Sequence, residues 1–435
     1  MRLAIAILGA SAATAHANPA DIFGLGARGA SMANAQVANV DDSTATYYNP
    51  ALLASFDEIH IDVGYQVASP NVSANGERFH VDRSEGIAAG IAVPGRIAGK
   101  RLAIGASMFL PDQQVTRTRT LPFDRPRFLA YDNRPQRLLL AAVGAFEIMP
   151  GLQIGAGVAY MASTNGTVEL QGLIGFPNPA VSDLDLAIDV DVRTIRYPHA
   201  GIAWRALPWL ELGVSYRGGF RLVIDQTVKV RGNIGTPDAT VIEDGHLDLR
   251  SVSQDLFQPM QITAGAAANL GEHWLVALDL SYQRWSVYDN PTANVEIELD
   301  IKQFNELVTI PPARILEIPN LHDIVVPRLG VEWTQPGVRT WSVRGGYGYE
   351  RAVAPEQRGE SNFIDNDKHT LSAGGGVQWR GIGGVIQRPV SLDAYVAFTY
   401  LIPREHHKTS PVDPVGDYTA RGHTIAAGVM SRWRF

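Results

Sequence analysis

Fourteen stretches of this chain alternate apolar with polar residues, and the last of them runs to an aromatic carboxy-terminus. Between His423 and Phe435, the residues Ile425, Ala427, Val429, Trp433 and Phe435 share one parity. Thr424, Ala426, Gly428, Arg432 and Arg434 share the other. A period of two describes a strand with one apolar face. A terminal strand that places an aromatic at the last residue is how outer-membrane barrels end. The alternation therefore predicts an all-β, transmembrane antiparallel barrel of about fourteen strands. The expected strands are 57-70, 78-94, 100-113, 135-148, 152-169, 185-205, 209-230, 246-269, 273-290, 322-336, 339-354, 367-380, 388-404 and 420-435.

A soluble sandwich also alternates. It lacks strand ends rich in large aromatics, here Trp274, Tyr282, Trp333, Trp341, Tyr349, Trp379 and Tyr400, which suit the two interfacial girdles of a membrane barrel. The links between strands also alternate between short and long, the expected asymmetry between periplasmic turns and outer loops. A barrel absorbs all 435 residues as one unit, where a soluble chain of this length would form two or three domains. Cysteine is absent, so strand pairing must supply the stability. The net charge of -7 and the lack of a basic patch argue against nucleic acid as a partner.

Residues 1-17 read as a signal peptide: Arg2 begins it, Leu3 to Ala10 form a short apolar core, and Ala15-His16-Ala17 offers a cleavage site. Residues 57-435 are the barrel. Residues 18-56 fit neither part, being rich in Ala, Gly and Asn with no long alternation. A barrel of this width has a lumen that its own side chains do not fill, and this segment is expected inside as a plug. Inward positions Gly64, Gly90, Gly105, Gly155, Gly157, Gly213, Gly265 and Gly330 leave room for another backbone, or else serve strand curvature. Other inward positions carry charge: Asp62, Asp279, Arg344 and Asp393.

The segment from Gly24 to Leu53 reads GLGARGASMANAQVANVDDSTATYYNPALL. Its Gly24-x-Gly26-x-Arg28-Gly29, its Ala-rich run with Asp41-Asp42, and above all Asn49-Pro50-Ala51-Leu52 resemble the N-terminal hatch of the FadL/TodX family of outer-membrane transporters for hydrophobic compounds. The resemblance implies a fourteen-stranded barrel plugged by a hatch. It implies uptake of long-chain fatty acids or other hydrophobic molecules by capture, hatch movement and sideways release. Gly24, Gly26, Arg28, Asp41, Asp42, Asn49, Pro50 and Ala51 become the candidate gating residues. Asn49 can bond neighbouring backbone through its side chain, while Pro50 fixes its own φ and gives up a donor. The stretch ahead of the glycines is only Asn18 to Phe23, and in the family that stretch contributes to the ligand site, making Phe23 a candidate contact.

Two outer loops are further candidates for ligand capture. Arg117, Arg119 and Phe123 belong to a loop of mixed cationic and aromatic character, suited to an amphipathic anion, to lipopolysaccharide phosphates or to solvent. Leu173 and Phe176 belong to an apolar loop over 170-184. Pro111 interrupts the third strand's ladder and marks a candidate lateral opening.

Gly24-Leu25-Gly26-Ala27-Arg28-Gly29 spells the dinucleotide fingerprint but has no strand before it, and no GxSxG elbow occurs. His406-His407 reads as a solvated pair in a polar loop. The expectation is a non-enzyme without cofactor or metal, monomeric in the outer membrane of a Gram-negative bacterium. Its expected partners are a hydrophobic ligand, outer-membrane lipid, lipopolysaccharide and the barrel assembly machinery. A general porin, an aromatic-hydrocarbon channel and an outer-membrane hydrolase are the alternative readings.

Overall fold

The computed structural model describes residues 19-79, 81-112, 126-131, 138-288, 294-307, 319-381 and 387-435. The expected signal peptide lies outside the described residues. Among those described, fourteen antiparallel strands close into a ring. They are β1 His60–Ala74, β2 Ser84–Ile97, β3 Lys100–Pro111, β4 Leu139–Met149, β5 Leu152–Gly175, β6 Asp183–Leu207 and β7 Leu210–Arg217. The second half is β8 Met260–Leu270, β9 Trp274–Arg284, β10 Ile324–Gln335, β11 Arg339–Glu350, β12 Lys368–Trp379, β13 Val390–His406 and β14 Tyr418–Arg434. Each pairs with its neighbour in sequence. The ring closes where β1 meets β14, from His60 opposite Arg434 to Ala74 opposite Ala420. Closure removes the unpaired edges that a bilayer forbids.

The period of two sorts the side chains as expected. Ile104, Val343, Leu371 and Val429 are more than half exposed and point outward, while Asp62, Asp279, Arg344 and Asp393 point inward and are buried. Trp204, Trp209, Trp274 and Trp341 stand exposed near the short-turn end, and Tyr216, Tyr347 and Tyr400 near the other. Trp274 and Tyr282 lie eight residues apart on β9. At about 3.4 Å per residue that is ~27 Å along the strand, or ~20 Å of height at a tilt of roughly 40°, close to the usual apolar band. The short turns are tight: Ala98 and Gly99 connect β2 to β3, both with positive φ (50° and 78°), the twist a two-residue hairpin needs.

Two expected strands are shorter in the wall than their alternation implies. The stretch 209-230 leaves the wall after Arg217, and 246-269 joins it only at Met260. Gly218, Gly219 and Pro259 stand at the break. A Cβ on Gly219 would come within 3 Å of Met260 N and Gln258 O, and Pro259 has no N–H for a ladder. Beyond the break, Phe220–Thr236 pairs with Ala239–Gln258 and runs parallel to the outer end of β5. Ala239–Gln258 also pairs with Asn294–Asp300. With the outer ends of β5 and β6 these form a sheet beyond the wall. Leu173 and Ile174 belong to β5 in this sheet rather than to a loop.

Phe435 completes the ring's seam. Its N–H donates to Ile59 O (3.0 Å) and its carbonyl accepts from Ile59 N (3.1 Å), and its half-exposed ring faces outward. Deleting Phe435 removes both seam bonds and one girdle aromatic. The expected result is less protein with the heat-modifiable gel mobility of a folded barrel and more in the periplasm. Parental yield of the heat-modifiable form would refute this terminal role.

Candidate functional site: the lumen and its N-terminal segment

Residues 19-56 are too broken by glycine and proline to form long elements. They make α1 Pro19–Phe23, α2 Ala27–Ser31, α3 Ala45–Tyr48 and a 3-10 turn Pro50–Ser55. Gly24 and Gly26 adopt φ of +86° and +78°, where only glycine sits without strain. A Cβ on Gly24 would also strike the side chain of Asn34, and one on Gly26 would lie 2.7 Å from Thr44 Cγ2. From Leu25 to Ala54 nearly every residue is buried.

What buries them is the inner wall. Paired glycines mark the closest approaches: Gly155 and Gly201 face each other across β5 and β6, where a Cβ would collide with Asn49, Pro50 and Ala51. Gly330 and Gly346 face each other across β10 and β11 and do the same for Met32 and Ala33. Gly90, Gly105, Gly213, Gly265 and Gly374 likewise meet residues 31-53. These contacts come from strands on all sides of the ring, so the segment lies within it. Gly64 and Gly157 differ, since their Cβ atoms would meet only wall atoms of β14 and β4. Glycine serves backbone contact with the segment at some inward positions and strand-to-strand approach at others.

Short helices leave many backbone groups unpaired, and burial makes each of them costly. Polar side chains of the wall supply partners. Asp279 on β9 accepts from the N–H groups of Gln36 (2.8 Å) and Val37 (3.0 Å). Asp62 on β1 accepts from Ser43 N (2.8 Å), and Ser372 on β12 from Ala33 N (2.9 Å).

A charge network then ties segment to wall. Arg28 reaches Glu332 on β10 with two nitrogens (3.0 and 3.2 Å) and donates to Gln36 Oε1 and Asn39 O. Arg344 on β11 bonds the same Glu332 and Asp393 on β13. Arg432 on β14 donates to Asp42 (2.8 Å) and Asp62 (3.0 Å), with Asp41 3.4 Å away. Burial opposes the charge of Arg28, but Asp41 and Glu332 outweigh it and hold the guanidinium protonated far above its usual range. The surrounding protein would raise the Asp41 carboxyl, but that side chain is half exposed, and the guanidiniums of Arg28 (3.5 Å) and Arg432 (3.4 Å) hold it well below the carboxylate range. Buried ions of this kind persist only when paired.

Asn49 is fully buried. Its Nδ2 donates to Val37 O (2.7 Å) within the segment and to Ile202 O (3.0 Å) on β6, and its Oδ1 accepts from Ala51 N (3.1 Å). One side chain therefore fixes the turn into Pro50, the return of the chain past Val37, and the wall.

The outer side of the segment differs. Asp21 bonds Tyr47 and Arg217, and Arg217 lies over the Tyr47 ring, 4.2 Å from its centroid. Phe23 stacks on Tyr131 at 6.5 Å. Ile22, Phe23, Tyr131, Gln283, Trp285 and Lys368 help line a cavity of 60 Å³. Lys368, also in its lining, is held by Glu350 (2.5 Å) and Asp365 (3.0 Å). Tyr131 is fully enclosed, and burial pushes its hydroxyl up to about 12. Arg127 and Phe128 pair with Phe363 and Ile364 above the cavity.

Gly24, Gly26, Arg28, Asp41, Asp42, Asn49, Pro50 and Ala51 thus come together in the lumen, with Phe23 at its outer side. Leu173 and Phe176 stand apart on the outer sheet, where Phe176 N donates to Gly235 O. Arg117, Arg119 and Phe123 lie outside the described residues. Pro111 does not interrupt its ladder: it is the last residue of β3, in register with Gly86, and the pairing from there to Lys100 is unbroken. His406 is not solvated but buried against Tyr418 (4.6 Å), accepting from Gln357 N (3.0 Å). Sequence reading passed over Glu332 and Lys368, although inward parity with charge marked both.

Among curated proteins no sequence matches. In structure the chain is similar to a FadL homologue of Pseudomonas aeruginosa, 13% identical with a TM-score of 0.61, covering 94% of this chain and 98% of that one. It is also similar to the toluene transporter TbuX of Ralstonia pickettii (17%, TM-score 0.55, 95% and 99%). The toluene transporter TodX of Pseudomonas putida is another (14%, TM-score 0.55, 97% and 100%). At such identities these likenesses speak for the fold. The sequence profile described as outer membrane protein transport protein (OMPP1/FadL/TodX) matches residues 6–433, and the chain therefore belongs to that family of outer-membrane proteins.

Proposed function

We propose that this barrel carries hydrophobic small molecules inward across the outer membrane, gated by its N-terminal segment. Residues 1-17 serve export, residues 18-56 act as the hatch, and residues 57-435 form the wall. The observation that supports this most is that the lumen is occupied: residues 25-54 pack against the inner wall and are tied to it by ion pairs. A general porin needs an open lumen lined by opposed charges, whereas here the opposed charges bond one another.

Release sideways runs through the wall between β2 and β4. Inside, Gly90, Gly105 and Ser107 face the segment, and Thr46 donates to Ser107 (2.6 Å). Outside, Ala89, Ala106 and Ala142 leave an apolar groove of 470 Å³ on the lipid face. Small residues on both faces make the wall thin there. The exit belongs at this site rather than at Pro111.

One observation favours uncharged ligands over fatty acids. Lys368 is the one cation lining the cavity beside Phe23 among the described residues, and two carboxylates already neutralise it. A fatty-acid carboxylate would meet net negative charge there. The solved toluene transporters of similar fold agree with an aromatic hydrocarbon as cargo.

The test is uptake by cells lacking their own transporter, with surface levels matched. Labelled toluene should enter faster than labelled oleate. Asn49→Ala should leave heat-modifiable barrel in normal amount while toluene uptake falls, because a lost buried hydrogen bond costs roughly 1–3 kcal/mol. Hatch states separated by a few kcal/mol would feel that change. Oleate uptake at or above the toluene rate would overturn the ligand assignment, and parental uptake by Asn49→Ala would remove its gating role.

A further inference from the structure

The outward face carries a polar pocket above the tyrosine belt, at the tops of β10 to β13. It encloses 510 Å³ between His322, Arg351, Glu356, Asp367, Ile402 and Arg404. It stands at the upper end of files that face lipid lower down: Val343 and Tyr347 on β11, Leu371 on β12, Val396, Phe398 and Tyr400 on β13, each at least 40% exposed.

The charges in this pocket are unevenly satisfied. Glu356 is answered by Arg358 (2.7 Å) and by the N–H of His407. Asp367 accepts from Ala352 N (2.8 Å) and from the Tyr349 hydroxyl (2.6 Å). Arg404 donates only to uncharged groups among the described residues, the carbonyls of Ala354 (2.7 Å) and Asp365 (3.0 Å). Arg351 is exposed and forms no hydrogen bond or ion pair there. Burial would raise the Asp367 carboxyl; its two hydrogen bonds and the nearby Arg404 and Arg351 outweigh this and hold it below its usual range. Two guanidiniums therefore face one carboxylate whose lone pairs are already engaged. The surplus is positive, at the height where a lipid's acyl chains give way to its head group.

We propose that this rim pocket seats the phosphate of an outer-leaflet lipid, with its acyl chains lying along the apolar files below. A guanidinium binds phosphate through paired, charge-assisted hydrogen bonds, and the exposed aliphatic and aromatic residues beneath supply the contact for the chains. Arg351 is the main anchor. Arg404 holds the loop at Ala354 and presents its charge from the pocket wall.

The experiment titrates the folded, full-length barrel in detergent with diphosphoryl lipid A, followed by native mass spectrometry. Parallel arms use the dephosphorylated glycolipid and inorganic phosphate. Diphosphoryl lipid A should bind, Arg351→Glu should weaken it about tenfold, the loss expected for one charged hydrogen-bond partner, and Arg351→Lys should retain most of it. Heat-modifiable mobility confirms that each variant is folded. Equal binding by Arg351→Glu and the parent would overturn the proposal, as would equal binding of the dephosphorylated glycolipid. Competition by inorganic phosphate as strong as by the lipid would show a free-anion site and remove the lipid assignment.

Discussion

Replacing Arg432 with methionine should open the barrel without unfolding it. Arg432 bonds Asp42 of the N-terminal segment and Asp62 of β1, and lies 3.4 Å from Asp41. Without the guanidinium, Asp42 and Asp62 remain together with no cation between them, and Asp41 keeps only Arg28, 3.5 Å away. Breaking a buried pair from one side costs about 3–5 kcal/mol. The wall does not bear that cost, because β14 keeps its backbone pairing to β1 and β13. The segment bears it, since the buried Asp42 can leave by moving into water, where Asp41 already half lies. Planar bilayers should therefore record larger or more frequent conductance steps, while gel mobility still reports a folded barrel. Adding Asp42→Asn and Asp62→Asn removes the orphaned charges and should restore much of the closed state, which a simple packing defect would not allow. A folded Arg432→Met variant with parental conductance would show that this network does not hold the segment.

Deleting residues 18-48 should have the larger effect. Asn49, Pro50 and the 3-10 turn stay in place, so the approach to β1 is unchanged. What goes is the material packed against Gly90, Gly213, Gly265, Gly330, Gly346 and Gly374. Those positions have no side chains to refill the space, and the lumen should admit water and ions. Single-channel conductance should rise from the closed level of the parent to that of an open pore. A correctly folded deletion variant that conducts no more than the parent would remove the hatch role proposed for this segment.

The order of the wall was legible in the chain because period-two alternation reports burial on one side. Trp433 and Phe435 on one parity and Arg432 on the other already state which faces lipid and which faces inward. The glycines of the inner face, and the Gly24, Gly26 and Asn49-Pro50 block, were legible for a similar reason. Positive φ, close backbone approach and a fixed turn each demand a particular residue type wherever the rest of the chain lies.

Alternation is silent about partners. It continues through Gly218 and Pro259, yet pairing there passes from the wall to an outer sheet, a change decided by which strand lies alongside. It marked Asp62, Arg344 and Asp393 as inward charges without saying that each is neutralised. Arg28 and Glu332 are 304 residues apart and Arg432 and Asp42 are 390 apart. His406 read as solvated because its neighbours in sequence are polar, while in space it stacks on Tyr418. Local residue chemistry determines which face of a strand tolerates water or lipid. Whether a buried charge has a counter-ion depends on chain segments brought together by ring closure, and only the tertiary structure decides that.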